Sequence, residues 1–181
     1  MLISFLYLLI RKEKFSYGKG PEYFISNHRD QILREDGHEI TMEVIEPIES
    51  LEGEIAVTFE LNEFLAQRVR KSASKNFFPL FLAGNCNSSI GTLAGIGSEK
   101  TGIIWFDAHG DFNTPETTEE APANHLSPPG GLIINELKEA IHLIKKNFVL
   151  AAAGITAYDP DCDKDNKTLN AGLSIIKLIL Q

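Results

Sequence analysis

Cysteine is scarce in this chain. Cys86 and Cys162 are the only two, too few for a disulfide framework, so a reducing, cytoplasmic setting is expected. Basic residues are also in deficit: 17 Lys and Arg stand against 25 Asp and Glu, giving a net charge of -8. That balance opposes binding to nucleic acid or to an anionic membrane surface and leaves a small-molecule or protein partner. Long apolar runs are missing as well. Residues 1–10 are almost wholly apolar, but ten residues are too short to cross a bilayer. Neither the basic stretch before nor the small-residue cleavage site after that a secretory leader needs is present, so the segment reads as a first strand. There is no phosphate loop of the order Gly-x-x-x-x-Gly-Lys-Ser/Thr, no dinucleotide fingerprint and no internal repeat.

What is present alternates between strand and helix patterns. Pro21 is suited to open a helix running from 22 to about 34. Residues 38–46, His-Glu-Ile-Thr-Met-Glu-Val-Ile-Glu, alternate polar and apolar side chains as a second strand, ended by Pro47. An acidic loop over 48–56 then precedes an amphipathic helix over about 59–75, with Phe59, Leu61, Phe64, Leu65 and Val69 on one face. Arg68, Arg70, Lys71 and Lys75 near its end read as a solvated face opposed to the helix dipole, with an anion-binding patch as the alternative.

Residues 77–83 form another short apolar strand, which runs into Gly84-Asn-Cys-Asn-Ser-Ser-Ile-Gly91. Asn87 or Ser88 is expected to cap the helix that follows, and the amides of this turn to form a polar floor for a site. Farther on, helices are expected over 135–147 and 169–180, with a strand over 148–157 between them. Such alternation implies a parallel sheet in a three-layer sandwich, and the 181 residues suit a single domain.

The chemistry concentrates at residues 101–118. The apolar run 103–106, bounded by Gly102, reads as a buried parallel strand that delivers Asp107, His109 and Asp111 to its carboxyl end. That is where open α/β sheets place their sites. Alternate residues of an extended chain project to one side, so these three converge, and Ala108 and Gly110 between them leave room for an ion. Two carboxylates and an imidazole suit manganese, iron or zinc. The competing reading is a strand-end loop in which Asp and His only cap and turn. His142, on a helix with no partner for catalysis, reads as a surface or packing residue. The acidic run Asp159, Asp161, Asp163 and Asp165 lacks the glycine and the glutamate of a calcium loop, having Lys164 and Asn170 in their places, and reads as a strand-to-helix turn with charged caps.

Three segments together resemble the arginase, agmatinase and formimidoylglutamase group, the ureohydrolases. Asp107-Ala-His-Gly-Asp-Phe-Asn-Thr-Pro-Glu-Thr-Thr118 matches the family's central Asp-Ala-His-x-Asp motif, and Ala83-Gly-Asn-Cys-Asn-Ser-Ser-Ile-Gly91 takes the place of its earlier Gly-Gly-Asp-His-Ser loop. The stretch from Pro129-Gly-Gly-Leu132 to Ala157-Tyr-Asp-Pro160 resembles its closing segment. The resemblance implies an arginase-like three-layer fold and a binuclear manganese centre that hydrolyses a linear guanidinium, amidine or formimino C–N bond of a small amino-acid-like substrate. It assigns Asp107, His109 and Asp111 as metal ligands, and Asn113 and Thr118 as contacts to the substrate's amino-acid end.

The departures from the family pattern carry their own expectations. Cys86 stands where the family has a metal-binding histidine, and reads either as a thiolate ligand favouring softer ions such as zinc or as a buried, unreactive thiol. The family's Ser-Gly-x-x-His-Gly and Asp-x-Asp-x-x-Asp-Pro segments do not occur, so the single arginase-like domain over 1–181 is internally shortened between about 118 and 126. His125 matches the segment before the Gly-Gly-Leu turn better than it matches a family histidine. The family's guanidinium-holding glutamate aligns with Ala157. Two readings follow: a metal-dependent hydrolase, or an inactive family member acting as a binding or subunit-interaction module. A sheet shortened in this way also leaves an edge that suits a homo-oligomer.

Overall fold

The structure, a computed structural model, describes residues 1–8, 19–46, 54–97, 99–106 and 132–181. Among the described residues, four parallel strands form one sheet: β1 (Leu2–Leu8), β2 (Glu39–Ile45), β3 (Phe78–Ala83) and β4 (Ala153–Thr156), in the order β2-β1-β3-β4. Six helices of the described residues pack around it: α1 (Gly20–Ser26), α2 (Arg29–Glu35), α3 (Glu54–Ser74), α4 (Ser89–Ile96), α5 (Ile134–Asn147) and α6 (Lys167–Leu180).

Strand alternation sorts the core into two layers. Ile3, Phe5 and Tyr7 of β1, with Leu80 and Leu82 of β3, meet Phe24 of α1, Leu33 of α2, and Leu173 and Ile176 of α6. Leu6, Phe81 and Ala83 point the other way onto Leu61, Leu65 and Val69 of α3, with Ile96 of α4 beside them. Helices on both faces of a parallel sheet make the three-layer α/β sandwich that the alternating pattern implies. α5 sits outside these layers, touching α6 through Ile141, Ile175 and Leu178. A polar tie reinforces that contact, because Lys145 Nζ donates to the last carbonyls of α6, Leu178 O at 2.7 Å and Ile179 O at 3.2 Å.

Several boundaries differ from the sequence reading. The helix expected over 22–34 is two helices, because His28 adopts a left-handed conformation (φ 55°) between them. α3 begins at Glu54, inside the expected acidic loop, since three side chains of its first turns, Val57, Leu61 and Leu65, are buried on the sheet. The strand expected over 148–157 is regular only over Ala153–Thr156, the part that faces β3.

The largest correction concerns residues 103–106. They form no regular secondary structure and are exposed, Ile103 at 55% and Trp105 at 46%. A strand is stabilised by a hydrogen-bonded neighbour, and among the described residues the sheet ends at β4 with no strand between it and this run.

Candidate functional site

The four strands end in line. Register pairs Ile45 with Leu8, Leu8 with Ala83, and Ala83 with Thr156, so the carboxyl ends of all four strands form one edge. This is the edge at which parallel α/β sheets bind ligands, and the loops after β3 and β4 both rise from it.

After β3, the chain turns through a 3-10 segment, Cys86–Ser88, into α4. Asn85 rather than Asn87 or Ser88 organises the turn: its side chain accepts from Asn87 N at 2.8 Å, while Ser88 Oγ donates back to Asn85 O at 2.6 Å. Gly91 N donates to Asn62 Oδ1 at 2.7 Å, and Asn62 Nδ2 donates to Thr58 O at 2.9 Å. Two amides of the expected polar floor are therefore taken up by side chains of the fold. The small cavity beside this turn, lined by Thr58, Asn62, Asn85 and Ser88, measures about 20 Å³, room for a water and nothing larger. Cys86, half-buried and outside any disulfide, is on this turn, so one candidate ligand does lie at the edge where the site is expected.

After β4, Ala157 takes a left-handed backbone (φ 63°) and donates its N–H to Ala83 O at 3.0 Å. Tyr158 then donates its hydroxyl to Asp163 Oδ2 at 3.0 Å, and Asp163 accepts from Thr168 N and Leu169 N, both at 2.9 Å, at the start of α6. Burial, then the hydrogen bond to Asp163, push the Tyr158 hydroxyl above the ordinary phenol range. For Asp163 burial acts upward, but the two amides and the Tyr158 hydroxyl outweigh it and hold the carboxylate below its ordinary value. Asp159 accepts from Asp161 N at 2.9 Å. Its carboxylate also faces the Cys162 thiol, an interaction that raises that thiol's pKa and disfavours the reactive thiolate. The acidic run is thus a capped strand-to-helix turn, as its sequence suggests. The Asp163 network was missed because its partners, Tyr158 and the α6 amides, are not marked by any motif.

Tyr7 lies at the same edge, one residue before the end of β1, with its ring fully buried. Burial and then the charge of Asp30 raise its hydroxyl pKa, keeping it neutral.

The other sequence-predicted residues divide simply. Arg68 pairs with Glu43 of β2, and Arg70 donates to Ala94 O at 3.2 Å, so half of the basic run ties α3 to its neighbours. His142 is exposed. Asp107, His109, Asp111, Asn113, Thr118 and His125 lie outside the described residues. Among the described residues no group of three or more His, Cys, Asp or Glu is placed to hold a metal ion, and Cys86 alone, a soft thiol, does not make a site for manganese. No helix among them is long and apolar enough to cross a membrane.

A cleft of about 1150 Å³ opens on the β4 side, between β4, α5, α6 and residues 101–106. Its described lining holds no carboxylate, imidazole or thiol; its ionisable side chains there are Lys100 and Tyr158.

Comparison with known proteins places this architecture. The chain matches solved arginase structures along almost its full length: that of Bacillus subtilis at a TM-score of 0.78 and 20% identity, covering 99% of this chain and 98% of that one. The native arginase structure from Bacillus caldovelox matches at 0.79 and 18%, covering 98% and 97%. At such identities the likeness establishes the fold. In sequence, a segment of 61 residues is 49% identical to the arginase of Bacillus caldovelox, covering 33% of this chain and 20% of that protein. Fifty-nine residues are 51% identical to the arginase of Bacillus subtilis (strain 168), covering 32% and 20%. The mitochondrial Arginase-2 of Bos taurus is 32% identical over 82 residues, covering 44% and 23%. The aligned segments span about a fifth of the length of these curated relatives. The family model described as the Arginase family matches residues 17–128, more than half of the chain and the part that includes Cys86 and the whole 107–118 motif. With that match and this fold, the chain belongs to the arginase family.

Proposed function

We propose that the chain is a ureohydrolase-type hydrolase that cleaves a linear guanidinium, amidine or formimino C–N bond of a small amino-acid-like substrate in the cytoplasm. The observation that carries this reading is the family match over 17–128, which contains the complete Asp-Ala-His-Gly-Asp motif. Asp107, His109 and Asp111 would hold a divalent ion, with manganese preferred by the two carboxylates and zinc or iron as alternatives. When bound, such an ion lowers the pKa of a water and makes it a nucleophile near neutral pH. Asn113 and Thr118 would orient the amino-acid end of the substrate, and Cys86 would approach from the turn after β3. Holding the substrate by its unreactive end converts binding into orientation of the C–N carbon.

A second reading has its own support. The chain has no Asp-x-Asp-x-x-Asp-Pro segment for a second ion, and Ala157 stands where a guanidinium-holding glutamate aligns. On that reading the protein is an inactive family member that works by binding. Metal analysis of protein purified without added metal, followed by urea and ammonia release from arginine, agmatine and formimidoylglutamate, separates the two. The hydrolase reading expects a retained divalent ion and manganese-dependent release that disappears in Asp107→Asn at unchanged circular dichroism. Protein that retains no ion, does not gain thermal stability with manganese and releases no product overturns the hydrolase reading and leaves the binding one.

A further inference from the structure

Helix α4 begins without a cap of its own. Ser88, the residue before its first turn, makes no side-chain bond to the helix's amides; its hydroxyl donates to Asn85 O at 2.6 Å instead. An N–H in the first turn of a helix ordinarily finds its acceptor in the side chain of that preceding residue. Here the acceptor comes from another helix. Gly91 is the third residue of α4, and its N–H donates to Asn62 Oδ1 of α3 at 2.7 Å, a buried bond between residues 29 apart in sequence.

The amide at position 62 has to be accounted for. Asn62 is buried, at 8% exposure, in the interior of α3, where an apolar side chain would favour the helix more and bury no polar group. Both ends of its amide are bonded, and the bonds set its orientation: Nδ2 donates to Thr58 O at 2.9 Å, one turn back, so Oδ1 is turned to α4. Gly91 completes the fit. A Cβ there would stand 2.6 Å from Asn62 O and 2.9 Å from Oδ1, so α4 comes this close because it carries no side chain at that point.

The bond reaches beyond α4. Asn87 N and Ser88 Oγ both bond Asn85, and the 3-10 segment Cys86–Ser88 runs directly into α4, so the turn and the start of the helix form one hydrogen-bonded unit. Pairing of β3 with β1 fixes the near end of that unit at the carboxyl edge of the sheet, and Asn62 fixes the far end. Cys86 stands between the two.

We propose that Asn62 is a positioning residue: by capping α4 from α3, it sets where the turn bearing Cys86 stands at the carboxyl edge. Its bearing on catalysis rests on the hydrolase reading above, whereas its hold on the turn does not.

Amide hydrogen exchange over residues 85–91, followed by mass spectrometry in the full chain, tests this. Asn62→Leu is similar in size but leaves the Gly91 N–H buried without an acceptor, so exchange over 85–91 should rise about ten- to hundredfold. Asn62→Asp keeps an oxygen for Gly91 N and sets a second one against Thr58 O, so it should restore part of that protection. Ile176→Val removes a buried methyl group on the other face of the sheet and should leave 85–91 unchanged, since these amides open locally. Under the hydrolase reading, Asn62→Leu also lowers the rate of product release and Ile176→Val does not. Protection over 85–91 that survives Asn62→Leu overturns the proposal, as does an equal loss in Ile176→Val or an Asn62→Asp protein no better protected than Asn62→Leu. Undiminished product release in Asn62→Leu, where the wild type is active, overturns its catalytic part. Wild-type protein that releases no product overturns the hydrolase reading alone, because the exchange comparison is made without substrate or metal.

Discussion

The two sides of the sheet differ in how their apolar side chains are covered. On the β2-β1-β3 side Ile3, Phe5, Leu6, Leu80, Phe81 and Leu82 are buried between helices, whereas on the β4 side Ile103, Trp105, Phe148 and Val149 are exposed. What separates them is the supply of partners. Among the described residues, β1 has a strand on each side and a helical layer on each face, whereas β4 has one strand neighbour and a helix, α6, whose far flank meets α5. Hydrophobicity selects what ought to be covered; whether it is covered depends on a complementary element being within reach.

Substitution is expected to act very unequally on the two sides. Leu65 of α3 is fully buried against β1 and β3, so Leu65→Ala should lower the free energy of unfolding by about 3–5 kcal/mol through lost burial and the cavity left behind. Val149→Ala should change it by less than about 0.5 kcal/mol. Urea denaturation followed by circular dichroism, at concentrations where the protein is monomeric, measures both. Equal effects would mean that the β4 side is packed in solution by something within the same chain.

Glycines give a smaller and more local version of the same contrast. A methyl group at Gly91 of α4 would lie 2.6 Å from Asn62 O and 2.9 Å from Asn62 Oδ1, both held in the α3–α4 contact. Gly91→Ala should therefore destabilise by about 1–3 kcal/mol. At Gly172, inside α6 and lining the cleft, nothing lies within 4 Å of the added group. There Gly172→Ala should stabilise by about 0.5–1 kcal/mol, because alanine restricts the unfolded chain and favours helix. A destabilising Gly172→Ala would show that the cleft is filled next to α6. The sign of the two changes, read from thermal melts, is the result that matters.

Much of this architecture was legible in the sequence because its signals are local and periodic. The alternation at 38–46 and the spacing of Leu61, Leu65 and Val69 mark β2 and α3 without knowledge of their partners. The break at His28 was not legible, since a non-glycine residue in the left-handed region has no compositional mark. Residues 103–106 were misread for a different reason. Their composition is that of a buried strand, but a strand exists only in a sheet, and the neighbour is a property of the whole chain. Of the candidate site, the motif at 107–118 is explicit in sequence and lies outside the described residues, whereas Cys86 was correctly expected on the turn after β3. The roles of Asn85, Asn62 and Asp163 emerge only in three dimensions, because each bonds an amide whose position the fold determines.

One further effect shows how the less covered side is held. Where apolar packing thins, polar contacts secure the joint between β4 and α6, and Asp163 is the centre of one. Its carboxylate accepts from two amides of α6 and from Tyr158, which makes it the helix cap although Asn166 occupies the adjoining position. Because its folded pKa is depressed, the stability it contributes is present above the unfolded-chain value of about 3.9 and is lost as pH falls through that value toward the folded one. Asp163→Ala should remove about 1 kcal/mol at neutral pH and flatten this part of the acid limb. Asp163→Asn keeps one oxygen for Leu169 N and Tyr158 but sets an amide nitrogen opposite Thr168 N, so part of the neutral-pH stability should survive while the acid dependence disappears. Denaturation midpoints from pH 7 to pH 3 separate charge from geometry. If Asp163→Asn retained the full acid dependence, the titrating group that ties β4 to α6 would be a different carboxylate.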